Sequence, residues 1–284
     1  MSQIQLIEAV SHIAVAAGAC ILDLYEQTEA PVVSWKADAS PITEADRRAH
    51  TLIVEQLAAL TPDMPVLSEE SAAVAFATRS RWANYWLVDP LDGTKEFIKR
   101  NGEFTVNIAC IENGQAVMGV VHVPVAGTTY SGSRVTGAFV QQQNGQRVAI
   151  QAARMSAGNT IVRVVASRSH RDAALEKVLD QLRTHFDIVE EVSMGSSLKL
   201  CLLAEGRADI YPRLAPTSEW DTAAAHAILA AANGDIVTTE FKSLRYNTRD
   251  SLLNPYFLAL ADTTYDWPGL LQGCLQLDKN RQNG

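Results

Sequence analysis

The chain is poor in the residues that build soft-metal or redox sites, with only 4 cysteines and 6 histidines among 284 residues. Cys20, Cys110, Cys201 and Cys274 show no CxxC spacing and no neighbouring His pair, which excludes a zinc cluster or a disulfide framework and predicts buried thiols. Positive charge is scarce too: 24 Lys and Arg against 32 Asp and Glu leave a net charge of −8 and a pI near 5.3. That field repels DNA, RNA and anionic surfaces, so no nucleic acid polymer is expected as a partner. Long apolar runs are also missing. No segment reaches the roughly 18 uninterrupted apolar residues of a membrane span, and the first residues, interrupted by Gln3, Gln5, Glu8, Ser11 and His12, make no leader. A cytoplasmic chain with no integral membrane span is expected.

What is present is a composition 47% hydrophobic, enough for one large core or two ordinary ones. Ile4, Ile7, Val10, Ile13, Ala14, Ala17, Ile21 and Leu24 recur at helical spacing, predicting a helix over about 3–27. A second helix is expected over 43–60, with Thr43 as N-cap and Asp46 at its third position. Val66-Leu67 and Tyr85 to Val88 read as short strands ending in acids, followed by β-rich sequence from Phe104 to Val140. From Thr160 the pattern alternates strand and helix, so the polar stretch from Gln141 to Asn159 is the boundary candidate between parts 1–155 and 156–284.

Three acidic clusters carry the chemistry: Glu69-Glu70, then Asp89-Pro90-Leu91-Asp92-Gly93-Thr94, then Asp221 before Thr222-Ala223-Ala224. Asp89 and Asp92, separated by a Pro-containing bend, can converge with the Leu91 carbonyl, an oxygen-only donor set suited to Mg²⁺. Gly93 and Thr94 open a short helix whose amides can hold a phosphate. Each piece also has a plainer reading: an Asp-Pro turn, a solvated acidic pair at Glu69-Glu70, a helix-dipole acid at Asp221, and a capping box for Asp46. Trp35, Trp82, Trp86 and Trp220 share no spacing that would make a stacking platform, and His122 and His226 sit in apolar runs, so all are expected to be structural.

Taken together and in this order, the three clusters resemble the inositol monophosphatase-like, lithium-sensitive phosphatases. Lys36 to Thr43, Leu91 to Asn107 (LDGTKEFIKRNGEFTVN), Ser167-Arg168-Ser169-His170, Gly195 to Lys199 and Tyr211-Pro212-Arg213 resemble the 3′(2′),5′-bisphosphate nucleotidase branch of the bacterial CysQ type. The resemblance implies an α/β (α+β) fold, a layered αβαβα sandwich of the inositol monophosphatase/fructose-1,6-bisphosphatase type. It implies an N-terminal α+β metal and phosphate domain packed tightly on a C-terminal α/β substrate domain, and about two to three Mg²⁺ ions as cofactor. Glu69, Asp89 and the Leu91 carbonyl resemble ligands of one ion, and Asp89, Asp92 and Asp221 those of another. Thr94, with Asp46 or the Glu69 region, resembles the group that activates water. Gly93 and Thr94 amides would hold the transferred phosphate, while His170, Ser196, Lys199 and Arg213 would bind the nucleoside and its second phosphate.

The activity implied is removal of the 3′-phosphate of adenosine 3′,5′-bisphosphate, with 3′-phosphoadenylyl sulfate as a further candidate and a place in sulfur metabolism. The partner is thus a small phosphorylated nucleotide. Alternatives are an inositol monophosphatase or sugar-bisphosphatase with the same metal site, and a divalent-cation-binding regulatory module without catalysis. Oligomeric state and peripheral association with the inner membrane are left open.

Overall fold

A computed structural model of the chain describes residues 1–27, 33–35, 41–156, 158–166 and 173–275. Helix α1 (Gln3–Tyr25) starts from a capping box between Ser2 and Gln5. Strands β1 (Val33–Trp35) and β2 (Pro41–Thr43) pair antiparallel and lead into α2 (Glu44–Leu60), capped by Thr43 and Asp46 as the spacing predicts. Among the described helices α1 alone has the length and composition to cross a membrane. Its stripe of Ile7, Val10, Ala14, Ala17 and Ile21 is instead buried against α2 and a sheet.

That sheet has seven strands in sequential order, β3 (Val66–Ser68), β4 (Asn84–Asp92), β5 (Thr105–Glu112), β6 (Gln115–Val123), β7 (Thr128–Ser133), β8 (Gly137–Gln141) and β9 (Arg147–Ile150). Two short helices, α3 (Phe76–Arg79) and α4 (Thr94–Ile98), flank β4. Both sheet faces are covered, and the period of two sorts the side chains. Trp86, Val88, Val106 and Ile108 face α1 and α2, whereas Tyr85, Leu87, Ala109 and Ile111 face the opposite layer. Asp89 continues the Tyr85 and Leu87 parity. Its side chain is therefore delivered to the inner face.

The second sheet contains β10 (Ile161–Ala166), β11 (Ile188–Ser193), β12 (Ile210–Arg213), β13 (Asp235–Thr238) and β14 (Phe257–Leu260) in the order β11-β10-β12-β14-β13. It is mixed: β10 runs parallel to β11 and β12, while β14 is antiparallel to both its neighbours. Helices α6 (Leu198–Ala204) and α7 (Glu219–Ala231) lie between the two sheets, and α5 (Ala173–His185) and α8 (Trp267–Leu275) cover the outer face. The result is the expected five-layer αβαβα sandwich. Neither β14 nor α8 is apparent from sequence pattern, and β9 lies inside the polar stretch read as a boundary.

One packing detail fixes the site. A Cβ on Gly119 of β6 would fall 2.0 Å from the Ala224 carbonyl oxygen, so only glycine lets the alanine-rich α7 backbone rest on the sheet. This sets Asp221, in the first turn of α7, over the end of β4.

Of the cysteines, Cys110 and Cys201 are buried as expected, while Cys20 and Cys274 are half-buried; all four are free thiols. Trp86 is fully enclosed and donates its indole N–H to Thr61, 2.8 Å away, and Trp82 packs on Tyr85, so both serve the core. His122 bonds Thr129 and is pushed down to about 4 by burial, and His226 sits between Tyr246 and Asp235. These, too, are structural placements.

Candidate active site

The acids converge because three elements end at one place. The Glu69 amide donates to Val88 O at 3.1 Å, extending the β3/β4 pairing by one residue and setting Glu69 beside Asp89. Along β4 the pairing with β5 shifts between Asp89 and Asp92, so the Pro90-Leu91 segment bulges rather than turning back. Asp89 is 2% exposed, and its Oδ1 accepts from the Leu91 amide at 3.1 Å. Burial pushes its pKa well up, and the charges of Glu69, Asp92 and Asp221 and a hydrogen bond with the Glu69 carboxyl add to the effect. Asp221 is raised well above the ordinary value by burial and then by Asp92, with Glu69 contributing further. Four carboxyls from three remote stretches therefore share one electrostatic environment.

These side chains are occupied with one another and with the protein. Asp92 Oδ2 takes the Ser196 hydroxyl at 2.5 Å and the Ser197 amide at 2.6 Å, and Asp221 Oδ2 takes the Ser218 amide at 2.9 Å, closing a capping box on α7. Among the described residues no group of three or more His, Cys, Asp or Glu side chains is arranged to hold an ion as it stands. The donor set nevertheless fits a hard divalent cation: all oxygen, anionic, partly buried and mutually repelling, with no thiolate or imidazole beside it among the described residues. An ion there would offset the mutual repulsion that, with burial, raises the pKa of Asp89 and Asp221.

Beside the acids, Gly93 at φ +94° turns the chain into α4, putting Thr94 at its first position. The Thr94 hydroxyl donates to Asp46 Oδ1 at 3.3 Å and lies 3.4 Å from the Leu91 carbonyl. Asp46 Oδ2 accepts both the Thr43 amide at 2.7 Å and its hydroxyl at 2.6 Å. The helix-capping and site-facing readings of Asp46 are thus both realised, one on each oxygen. Burial raises its pKa, against the Thr43 hydrogen bonds, with the Glu70 charge adding to the rise.

A cavity of about 350 Å³ opens from these acids, lined by Asp92, Gly93 and Asp221 on one side and by Ser196, Lys199, Tyr211 and Arg213 on the other. Its size suits a small ligand. Lys199 donates to the Ser196 carbonyl at 3.1 Å, and its ammonium stands 5.9 Å from the Tyr211 ring centroid. Burial lowers its pKa, opposed by Asp92 and assisted by Arg213. Arg213 donates to Pro216 O at 2.9 Å, while its Nε is buried without a partner. Lys95, Glu96, Lys99, Asn101, Glu103, Met194 and Phe257 also line the walls.

Asp92, Gly93, Asp221, Ser196, Lys199 and Arg213 line one cleft, Glu69 and Asp89 lie beside its acids, and Thr94 follows Gly93 with Asp46 and the Leu91 carbonyl in hydrogen-bond reach. His170, the Ser167–His170 motif and Lys36–Ser40 lie outside the described residues. Sequence reasoning missed Lys95 and Lys99, although their i, i+4 spacing after Gly93 places them on one face of a helix. It also missed Thr105 and Asn107, two apart on β5, and Tyr211 as a cavity wall.

The sequence profile of the inositol monophosphatase family matches residues 3–265. The chain is 48% identical over 252 residues to the 3′(2′),5′-bisphosphate nucleotidase CysQ of Escherichia coli K12, covering 89% of this chain and 98% of that one. It is 49% identical over the same length, at the same coverage, to the CysQ nucleotidase of Salmonella typhimurium. The crystal structure of CysQ from Bacteroides thetaiotaomicron superposes with a TM-score of 0.79 at 42% identity, covering 90% and 97% of the two chains. A Thermotoga maritima IMPase shares the fold at 20% identity, with a TM-score of 0.74 and coverage of 98% and 99%.

Proposed function

Since the chain belongs to the inositol monophosphatase family, we propose that it is a 3′(2′),5′-bisphosphate nucleotidase, releasing phosphate and AMP from adenosine 3′,5′-bisphosphate. The observation carrying this reading is a cluster of mutually repelling carboxyls, adjoined by the Thr94–Asp46 hydrogen bond, whose Asp92 and Asp221 line a cavity that also bears Lys199 and Arg213. Identity near one half to nucleotidases over nearly their whole length supports the substrate.

Glu69, Asp89, Asp92, Asp221 and the Leu91 carbonyl would hold Mg²⁺, about two to three ions by our reading. Bound there, the ions would neutralise the ester and favour ionisation of water near them. The chain supplies the rest. Thr94, its hydrogen committed to Asp46, offers lone pairs to a water and passes the abstracted proton to a carboxylate whose burial favours protonation. The Gly93 and Thr94 amides hold the equatorial oxygens of the phosphoryl group. Water adds to phosphorus in line with the departing O3′, the P–O3′ bond breaks, and the leaving oxygen takes a proton from a second water, becoming the 3′-hydroxyl, while the proton held by the carboxylate returns to solvent.

Lys199 and Arg213 take the phosphate that is not transferred, which gives specificity by a charged contact away from the reacting bond. The lysines at positions 95 and 99 extend that wall toward the cavity mouth. Division of labour follows the two sheets, with 1–155 carrying most of the reacting groups and 156–284 most of the recognition. The burial of the α1 stripe supports a core helix over a membrane span.

Turnover of adenosine 3′,5′-bisphosphate against inositol 1-phosphate, with Mg²⁺, tests the reading. It requires preference for the nucleotide by at least about tenfold in kcat/KM. Preference for inositol 1-phosphate overturns the substrate, and no phosphate from either overturns the activity.

A further inference from the structure

We propose that Ser196 and Ser197 form a latch that aims Asp92 at a bound cation and couples its aim to Lys199, so that an anion on Lys199 tightens cation binding. The coupling half rests on the nucleotide reading above; the aiming half does not.

Ser196 adopts φ +52°, a left-handed conformation that is unfavourable for a residue with a side chain. The turn also needs Gly195, because a Cβ there would lie 2.8 Å from the Glu103 Cβ. What the strained turn achieves is convergence on one atom. Asp92 Oδ2 receives the Ser196 hydroxyl at 2.5 Å, the Ser197 amide at 2.6 Å and the Asn107 amide at 3.4 Å. Asn107 is itself fixed, its Oδ1 accepting from the Ser197 hydroxyl at 2.9 Å and the Thr105 hydroxyl at 3.0 Å. With three donors on Oδ2, the carboxylate plane is set and Oδ1 is the oxygen left for a cation. Partners that orient a metal-ligating carboxylate contribute about 10–100-fold to metal affinity.

The same turn faces the anion wall. Lys199 donates to the carbonyl of Ser196, the residue whose hydroxyl grips Asp92. An ammonium carries three hydrogens, so Lys199 can hold that carbonyl and still bind a phosphate. An anion that fixes Lys199 therefore fixes the Ser196 turn, and by reciprocity a cation on Asp92 favours the anion.

Titration calorimetry of Mg²⁺, with and without AMP, tests both halves on wild type, Ser196→Gly and Ser196→Ala. Glycine accepts positive φ without strain, so Ser196→Gly is expected to melt no lower than wild type while losing the hydroxyl. Both variants should bind Mg²⁺ about tenfold more weakly, and the gain in affinity that AMP confers on wild type should shrink to less than about twofold. Their kcat should fall, and by the same reciprocity AMP affinity at saturating Mg²⁺ should fall by the same factor as the lost gain, and not more. Wild-type Mg²⁺ affinity in both variants, with KM raised instead, overturns the latch and makes Ser196 a plain nucleotide contact. Because Mg²⁺ titration needs no turnover, a chain that failed to hydrolyse the bisphosphate would still decide the aiming half.

Discussion

The two walls of the cleft contrast in how they are built. Carboxyls on the acidic wall come mostly from one strand end, with Asp89, Asp92, Gly93 and Thr94 within six residues and Glu69 placed by direct pairing to the same strand. The basic wall is collected from α4 and its C-cap, α6 and β12, a span of more than a hundred residues. Like charges are concentrated on the first wall at a cost in folding, visible as the raised pKa of Asp89 and Asp221. Cations on the second are spread out, Lys199 donating to one carbonyl and Arg213 to another, with the carboxylates of Asp92, Glu96 and Glu103 acting on Lys199. A site that crowds charge needs a counterion to work, whereas one that disperses it is ready for its ligand. Chemistry and recognition are thereby separable by substitution.

The strongest way to break that separation is Asp89→Asn. Phosphate release should fall about a thousandfold, because the shared donor of the acidic wall is gone. A loss below about tenfold would mean that the crowded carboxyls are not the chemical centre. Next, under the proposed function, in which Thr94 meets the water and not the nucleoside, Thr94→Val should lower kcat about a hundredfold with KM within about twofold. A change confined to KM would move Thr94 to the recognition wall.

On that other wall, Lys199→Met should lower kcat/KM for adenosine 3′,5′-bisphosphate about 10–100-fold. The same variant should act on adenosine 3′-monophosphate within about threefold of wild type. Equal losses on both substrates would show that Lys199 does not read the second phosphate.

The smallest expected effect is on stability. Asp89 and Asp221 hold protons in the fold above the ordinary value of 3.8. Between that value and their folded pKa the native state binds more protons than the unfolded chain, so stability falls as pH rises. Cation-free protein should melt a few degrees lower at about pH 8 than at about pH 5, and Mg²⁺ should restore more at the higher pH. Melting that rises with pH in the absence of Mg²⁺ would contradict the crowding.

Much of the acidic wall was legible because local rules set it. The Thr43-x-x-Asp46 spacing predicts a capping box, and that box aims Asp46 Oδ1 at Thr94. Strand parity through Tyr85 and Leu87 likewise sends Asp89 to the inner face. What was hidden depends on tertiary contact. The run Phe257–Leu260 is apolar throughout, with no alternation, because β14 is covered on both faces. Helix α8 carries Pro268, Gly269 and Gly273 and is held by burial of Trp267 and Leu271 rather than by propensity. The grip of Ser196 on Asp92 spans 104 positions and a strained φ, neither of which leaves a local mark.

Central to the account is that the acidic wall collects paired divalent ions beside a phosphate held by Thr94. Diffraction from crystals grown with Mn²⁺ and AMP, phased on the anomalous signal, measures this directly. The account predicts a pair of peaks bridged by Asp89, with Glu69 and Asp221 on opposite ions and the AMP 5′-phosphate against Lys199 and Arg213. Manganese elsewhere on the molecule, or none within reach of Asp89, would contradict it.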